Sequence, residues 1–324
     1  MKLRVAVLYG GRSGEHEVSL RSAESVIAAM DSNKYEIVRF FIGKDGQWDP
    51  RPILPEPGAN PGIDVVFPVL HGTFGEDGAM QGLLELAEIP YVGAGVLGSS
   101  LAMDKDAMKR ICRTSGLPVV DHVVVYRERL NEDEAKPFFD YPVFVKPANL
   151  GSSVGISKAR NDEELRAALH LAASYDRKIV VEPAIEGREL ECAVLGNADP
   201  VASLPCEILP SREFYDYEDK YLCDAAECKL PADLTAEQTA EVRRLAVECY
   251  RAVECEGMAR VDFFLENSGR ILLNEINTIP GFTSISMFPR MWAEAGLSLP
   301  RLIDRLLELA LERHQSRGTT RYSR

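Results

Sequence analysis

The chain has 324 residues, of which 46% are hydrophobic and 27% charged, values ordinary for a globular protein with more than one core. Its formal net charge of −13 argues against a nucleic-acid surface, because basic side chains dominate such surfaces. The apolar run at residues 3–9 is too short for a signal or membrane segment, and no later run reaches membrane length. Seven scattered cysteines without metal-ligand spacing indicate reduced thiols and a cytoplasmic protein.

Strands and helices alternate at the beginning of the chain. The predicted elements are strand 3–9, helix 17–30, strand 35–42, strand 63–70, helix 78–88 and strand 91–92. This alternation predicts a doubly wound parallel α/β sheet. A segment rich in Gly and Ser at 93–100 is the predicted edge of this first domain.

An α+β unit and a third lobe are predicted after that edge. The elements of the α+β unit are helix 101–115, strands 119–126 and 143–146, helix 162–173 and strand 178–182. Those of the third lobe are strand 189–195, polar loop 211–228, helix 236–253, a hairpin over 261–277 and helix 299–313, followed by a frayed basic tail at 315–324. The predicted domains are therefore 1–98, 99–186 and 187–324.

The hairpin near the C terminus carries several polar side chains. Asp262 lies on its first strand, while Glu275 and Asn277, two residues apart on the second, share a face. Two carboxylates and an amide oxygen suit Mg²⁺, which completes its shell with water and phosphate. Arg260, two residues before Asp262, can hold an oxyanion through two hydrogen bonds. The alternative is a solvated hairpin without a ligand.

A turn with anion-binding character follows the hairpin. Pro280 and Gly281 force the turn, and the hydroxyl and backbone N–H groups after it can surround a carboxylate. A metal, an arginine and a carboxylate-sized concavity in sequence indicate a site that joins a nucleotide phosphate to a carboxylic acid.

Lys146 ends a short apolar strand and is followed by a loop rich in Gly and Ser at 149–155. A lysine at a strand end can reach a phosphate as a point charge, and the loop can close over the phosphates. The lysine precedes the glycines, so the segment differs from a P-loop. A surface turn without a ligand is the alternative.

The glycine-rich segment 10–14 follows the first strand. A dinucleotide site is the rival interpretation, but the spacing departs from G-x-G-x-x-G and no acidic residue ends a strand about 20 residues further on. Glu15 can instead pair with the ammonium group of an amino acid. His71 lies at a predicted strand C-end, where doubly wound sheets contact ligands, so both residues indicate one crevice.

The string NEINTIPG at 274–281, with RVD at 260–262 upstream, resembles the metal and substrate end of the ATP-grasp ligases, and most resembles the D-alanine–D-alanine ligase family. The string HGTFGEDG at 71–78 matches a second pattern of that family, and the resemblance spans nearly the whole chain in the same order. It implies an ATP-grasp fold of α/β and α+β type behind an N-terminal doubly wound domain. It also implies a cytoplasmic, homodimeric carbon–nitrogen ligase that uses ATP and two Mg²⁺ or Mn²⁺ ions, with K⁺ as a candidate activator.

The implied reaction joins two D-alanines through a D-alanyl phosphate, for peptidoglycan precursors. The residues that the resemblance assigns to ATP are Lys105, Lys146, Ser152, Ser153, Glu182, Ala184, Ile185, Glu189, Phe214, Lys220, Phe264, Asn274 and Glu275. Those assigned to D-alanine are Glu15, His71, Glu76, Arg260, Gly281, Ser286 and Met287. Those assigned to catalysis are Glu15, Ser152, Tyr221, Arg260 and Gly281, and the metal ligands are Asp262, Glu275 and Asn277.

The polar loop 211–228 matches the family's ω-loop, which closes the site. Lys220 is expected to reach phosphate, and Tyr221 to bond toward Ser152 and Glu15. The loop contains no histidine, which favours an amine over a hydroxyl nucleophile. D-alanine–D-serine and D-alanine–D-lactate ligases are the alternatives inside the class. A dinucleotide oxidoreductase and a nucleotide-binding regulatory module are those outside it.

Overall fold

The structure is a computed structural model that describes residues 2–130, 139–209 and 227–321. Its strands are β1 (Leu3–Gly10), β2 (Tyr35–Ile42), β3 (Trp48–Asp49), β4 (Val65–Pro68), β5 (Val123–Tyr126), β6 (Val143–Pro147), β7 (Ser157–Ala159), β8 (Lys178–Pro183), β9 (Gly187–Gly196), β10 (Val201–Ala202), β11 (Cys206–Leu209), β12 (Glu227–Lys229), β13 (Gly257–Glu266) and β14 (Ile271–Asn277). Its helices are α1 (His16–Ala29), α2 (Ala79–Leu86), α3 (Val96–Met103), α4 (Lys105–Thr114), α5 (Asp162–Tyr175), α6 (Ala236–Ala252), α7 (Met287–Glu294) and α8 (Leu299–Gly318), with a 3₁₀ turn at Arg127–Arg129.

The N-terminal sheet has the order β3-β2-β1-β4, with β1 parallel to both β2 and β4. This confirms the predicted parallel α/β sheet. β1 ends at Gly10, whose φ of +92° and close approach to the Ile42 carbonyl exclude a side chain. The strand predicted at 91–92 is reduced to a single bridge between Tyr91 and Val66.

The two later sheets are antiparallel. The central sheet has the order β5-β8-β6-β7 and packs against α5 through residues such as Val143, Val181 and Leu169. The C-terminal sheet has the order β12-β11-β9-β13-β14, with β10 paired to β9, and α6 covers it. The ATP-grasp architecture expected from the resemblance is therefore present.

Hydrophobic cores join the predicted domains. The Phe67 ring of the N-terminal sheet meets Phe282 edge to face at 5.7 Å between ring centroids. Helices α3 and α4 share a core with the C-terminal sheet, and the Val120 amide donates to the Leu273 carbonyl at 3.0 Å. The boundaries predicted at 99 and 187 remain predictions.

The helix predicted over 101–115 is two helices, because Asp104 interrupts it in an extended conformation. Its carboxylate accepts hydrogen bonds from the amides of Asp106 and Ala107. Asp104 is therefore the N-cap of α4, which begins at Lys105. The expectation of fraying from residue 315 is wrong as far as Gly318, since α8 continues to that residue. There Arg317 pairs with Glu85 of the N-terminal domain.

The side chains of Cys206 and Cys228 meet between neighbouring strands, and the expectation that the cysteines are reduced thiols stays a prediction. Neighbouring strands β11 and β12 bring their Cα atoms to 6.5 Å, a proximity that 22 residues of sequence separation concealed. The free cysteines of the described chain, all buried, are Cys112, Cys192, Cys249 and Cys255. None of the helices in the described ranges combines the length and apolar character needed to span a membrane.

Candidate active site

Two cavities meet at Glu275, whose side chain lines both of them. The larger, of about 380 Å³, lies between the central and C-terminal sheets. The smaller, of about 80 Å³, lies where β13 and β14 approach the N-terminal domain. Because one carboxylate borders both spaces, ligands in the two cavities would meet beside it.

The larger cavity collects most of the residues that the sequence assigned to ATP. Its lining includes Lys146, Ser153, Glu182, Ala184, Ile185, Glu189, Phe264, Asn274 and Glu275. Lys105 and Ser152, assigned to ATP as well, line the smaller cavity. Phe214, Lys220 and Tyr221 fall outside the described residues, so their assignments remain predictions.

A buried cluster of charges forms one wall of the larger cavity. Glu182 receives Lys146 Nζ on Oε2 at 2.7 Å and Lys109 Nζ on Oε1. Burial alone would raise the pKa of Glu182, but the two lysines outweigh it and lower that pKa to about 2. Burial lowers the pKa of Lys109 to about 8. Burial also acts to lower the pKa of Lys146, but Glu182 and the nearby Glu275 and Glu189 together outweigh it and raise that pKa.

Lys109 was missed by the sequence interpretation, although a signal existed. It lies four residues after Lys105, so both lysines occupy one face of α4. Lys105 Nζ donates to the Leu150 carbonyl at 2.7 Å and lies 3.5 Å from Glu275 Oε2. The two lysines of this helix face therefore contact different carboxylates, Lys105 that of Glu275 and Lys109 that of Glu182.

The register of the hairpin places the predicted polar residues on one face. Asp262 is the Cα partner of Glu275, and Arg260 is the partner of Asn277. The Arg260 guanidinium grips Asp262 through Nε at 2.8 Å and Nη2 at 2.7 Å. It also lies 3.1 Å from Glu191 Oε1 on β9, a buried acid that the sequence interpretation missed. These carboxylates raise the pKa of Arg260 against the effect of burial, so its charge is permanent.

The donor atoms of the hairpin fit a hard divalent cation. Asp262, Glu275 and Asn277 offer only oxygen ligands, and no group of three or more acidic, His or Cys side chains in the described ranges is arranged to hold a metal. Phosphate and water oxygens would therefore have to complete the shell. Asn277 Oδ1 already accepts from the Ile279 amide at 2.9 Å, which fixes its orientation.

The Gly/Ser loop connects the two cavities. Ser152 and Ser153 both have left-handed backbones, with φ of 53° and 59°, and they line different cavities. Ser152 Oγ donates to Glu15 Oε1, which links the loop to the amino-acid crevice. Strained residues in such a loop are typical of functional segments.

Glu15 and Glu76 both approach Gly72 and line the smaller cavity. Glu76 Oε1 accepts from the Gly72 amide at 2.6 Å. Burial and the neighbouring Glu15 raise the pKa of Glu76 well above its ordinary value. Both carboxylates therefore border the smaller cavity, where an ammonium group could pair with them.

Gly281, Ser286 and Met287 also line the smaller cavity, at the N-terminal end of α7. Ser286 Oγ accepts from the Thr283 amide at 3.0 Å and lies so close to Gly281 that a side chain there would collide with it. The free N–H groups of a helix N terminus favour a carboxylate.

His71 is not among the residues that line either cavity. Its Nδ1 lies 2.9 Å from the Ile279 carbonyl and its Nε2 lies 3.2 Å from Ser22 Oγ. Burial lowers its pKa to about 4, so the ring is neutral. In this arrangement His71 joins the N-terminal domain to the turn after β14, and the substrate contact expected of it stays a prediction.

A nucleotide-sized cavity thus lies between two antiparallel sheets, beside a face of carboxylates and an arginine. This arrangement defines an ATP-grasp enzyme. Comparison with known proteins specifies the family. A family model described as "D-ala D-ala ligase C-terminus" matches residues 111–308, and one described as "D-ala D-ala ligase N-terminus" matches residues 4–60 and 54–94. The chain therefore belongs to the D-alanine–D-alanine ligase family.

Individual relatives agree with this placement. The chain is 66% identical over 325 residues to a D-alanine–D-alanine ligase of Solibacter usitatus (strain Ellin6076), covering 100% of both chains. A solved D-alanine–D-alanine ligase from Coxiella burnetii has a TM-score of 0.87 and 40% identity over 98% of this chain and 96% of that one. A solved D-Ala:D-Ser ligase from Enterococcus faecalis has a TM-score of 0.87 and 37% identity over 96% of this chain and 100% of that one.

Proposed function

We propose that this protein joins two D-alanines to D-alanyl-D-alanine with the conversion of ATP to ADP and phosphate, and so supplies a peptidoglycan precursor. The observation that carries the proposal is the meeting of the two cavities at Glu275. One cavity is bordered by Lys146 and the other by Arg260 and Glu15, so a nucleotide phosphate and an amino acid would be adjacent.

The first step is the attack of one D-alanine carboxylate on the γ-phosphorus of ATP. A P–O bond to the substrate forms, the bond to ADP breaks, and D-alanyl phosphate results. Glu15 pairs with the ammonium group of this D-alanine. Lys105 and Lys146 offset charge on the transferring phosphoryl group, with Lys220 assigned the same role by resemblance.

The second step is the attack of the other D-alanine, as a free amine, on the carbonyl carbon of the acyl phosphate. The C–N bond forms, phosphate leaves and the nitrogen loses a proton. Ser286, Met287 and Gly281 hold the second carboxylate. Arg260 and the Gly281 amide stabilise the oxyanion of the tetrahedral intermediate.

We assign the divalent metal to Asp262, Glu275 and Asn277, as two Mg²⁺ or Mn²⁺ ions. These residues would hold the ions, which would neutralise the charge that develops on the phosphate oxygens. K⁺ is proposed as an activating ion on family resemblance alone. The ω-loop residues Phe214 and Tyr221, and the domain limits 1–98, 99–186 and 187–324, belong to the same proposal.

We also propose a homodimer located in the cytoplasm, where ATP is available. Leu86 on α2 and Leu97 on α3 expose 65% and 58% of their surface, and these neighbouring helices offer an apolar surface to a second copy. Sedimentation of the wild type and of Leu97→Lys tests this, since a dimer built on that surface should dissociate in the variant.

The function is tested by phosphate release with Mg-ATP and D-alanine, L-alanine, or D-alanine plus D-serine or D-lactate, with the products identified by mass. D-alanine dependence and a D-alanyl-D-alanine product are expected. A product formed only with a mixed pair would show that the second subsite accepts D-serine or D-lactate instead of D-alanine. ATP binding without phosphate release in any mixture would contradict the proposal.

A further inference from the structure

Lys109 is a fully buried cation that the reaction scheme leaves without a role. It has no exposed surface, lies on α4 one turn after Lys105, and contacts Glu182 Oε1. It is absent from the lining of both cavities. A buried charge is costly unless it is paired, so its pairing with Glu182 has to be explained by what Glu182 does.

Glu182 faces the larger cavity together with the strand-end residues Ala184 and Ile185. Its two oxygens are held by two different lysines, Lys109 on Oε1 and Lys146 on Oε2 at 2.7 Å. Each carboxylate oxygen keeps a further lone pair for a ligand donor. The carboxylate can therefore accept a hydrogen bond from a ligand while it remains fixed by lysine.

The two lysines differ in their access to the larger cavity. Lys146 lines the cavity and also approaches Asn274 Oδ1 at 3.4 Å, whereas Lys109 is enclosed behind Glu182. When Lys146 turns toward a phosphate, Glu182 loses one of its cations. Without a second one, a carboxylate that is 1% exposed would be left uncompensated, and Lys146 would be held back.

We propose that Lys109 is the positioning residue of the purine-binding carboxylate: it keeps Glu182 ionised and aimed at the exocyclic amino group of adenine, and so leaves Lys146 available to phosphate. This inference rests on the ATP site of the proposed function. It makes the Lys109–Glu182 pair a determinant of base specificity, since an ionised carboxylate accepts from an amino group and repels the carbonyl oxygen that guanine carries at the same ring position.

The electrostatics agree with this geometry. Lys109 and Lys146 together lower the pKa of Glu182 to about 2, so the carboxylate is ionised throughout the neutral range. Burial lowers the pKa of Lys109 to about 8, and Glu182 opposes that decrease, so the lysine is mostly protonated at neutral pH.

The test compares ATP with purine riboside triphosphate, which lacks the 6-amino group, in the wild type and in Lys109→Met. Equilibrium affinities are measured by displacement of a fluorescent nucleotide, without D-alanine. The wild type should prefer ATP by about 10- to 100-fold, the value of a hydrogen bond to a charged group. Lys109→Met should bind the two nucleotides within about 3-fold of each other, mainly through lost affinity for ATP.

Arg110→Met is the matched control, because it removes a cation from the next position of α4, where the side chain is 73% exposed. It should keep the wild-type preference. Lys109→Met with an unchanged preference, or with equal losses for both nucleotides, would overturn the proposal. A wild type without preference for ATP would overturn it as well.

A second comparison applies if Lys109→Met does not fold. Glu182→Gln should by itself remove the preference for ATP, and Lys109→Met added to it should change ATP affinity by less than about 3-fold. A further 10-fold loss would show that Lys109 acts independently of Glu182, against the proposal. Because these affinities need no turnover, they are separate from the D-alanine-dependent phosphate release that tests the proposed function.

Discussion

Replacing Arg260 by Met should reduce turnover and stability for two separable reasons. The guanidinium contacts Asp262 at 2.7 and 2.8 Å and Glu191 at 3.1 Å, and these acids expose only 3% and 2% of their side chains. Removing one partner from a buried ion cluster costs about 3–5 kcal/mol in the free energy of unfolding. Removing an oxyanion donor lowers turnover by about 10²–10³.

The assay therefore measures kcat, the KM for ATP and unfolding in urea on the same preparations. The KM for ATP should change little, because Arg260 lines the smaller cavity and not the larger. Adding Glu191→Gln removes one of the uncompensated charges, so Arg260→Met with Glu191→Gln should recover part of the stability but none of the turnover.

Arg4→Met is the control, since Arg4 forms a similar two-pronged pair with Asp64 at the surface, where its side chain is 40% exposed. It should leave turnover unchanged. Folded Arg260→Met with wild-type turnover would refute the oxyanion role. A loss that appears wholly as a higher KM for ATP would refute the placement of Arg260 at the amino-acid side.

Three further outcomes are expected. Asp104→Ala should lower the free energy of unfolding by about 1–2 kcal/mol, because it removes the N-cap of α4 and one partner of Lys178, and urea unfolding measures it. The pKa of His71 is lowered to about 4, so burial of its neutral form contributes fully to stability above pH 6.5. About 3 kcal/mol of the free energy of unfolding should be lost as the pH falls from 6.5 to 4. His71→Asn should flatten this pH dependence, and an unchanged slope in the variant would contradict the prediction. EDTA should abolish phosphate release, and Glu275→Gln should raise the Mg²⁺ concentration for half-maximal rate by at least about 10-fold, whereas an unchanged requirement would remove Glu275 from the metal ligands.

The sequence predicted those parts of the site that depend on local pattern. Strand periodicity was enough to place Asp262, Glu275 and Asn277 on one face, because an antiparallel hairpin fixes its own register. Glu191 escaped prediction because it reaches Arg260 from β9, a strand distant in sequence. Lys109 escaped because a lysine on a helix is ordinarily solvated, and only the fold reveals that its partner is Glu182.

The wrong helix boundary at Asp104 also has a local physical cause. The prediction of a single helix over 101–115 did not take account of Asp104 as an N-cap. A new helix begins after Asp104 because its carboxylate accepts hydrogen bonds from two otherwise unpaired amides. The role predicted for His71 relied on its position at a strand end. The structure places the ring at that edge of the sheet, between the Ile279 carbonyl and Ser22 Oγ, and the substrate contact stays a prediction.

A net charge of −13 is compatible with an ATP site, because the acids that surround the lysines also determine whether those lysines can contact a phosphate. Lys146 is held by Glu182, and Lys105 lies beside Glu275, so neither lysine is an isolated buried cation before a nucleotide arrives. Each of these lysines can exchange a carboxylate for a phosphate without creating an unpaired charge, provided that the carboxylate keeps another cation. Lys109 supplies that cation to Glu182, and a divalent metal would supply it to Glu275. The proposed nucleotide and metal sites of this protein would thus meet one electrostatic requirement in two ways, with a lysine of the protein in the first and with an ion in the second.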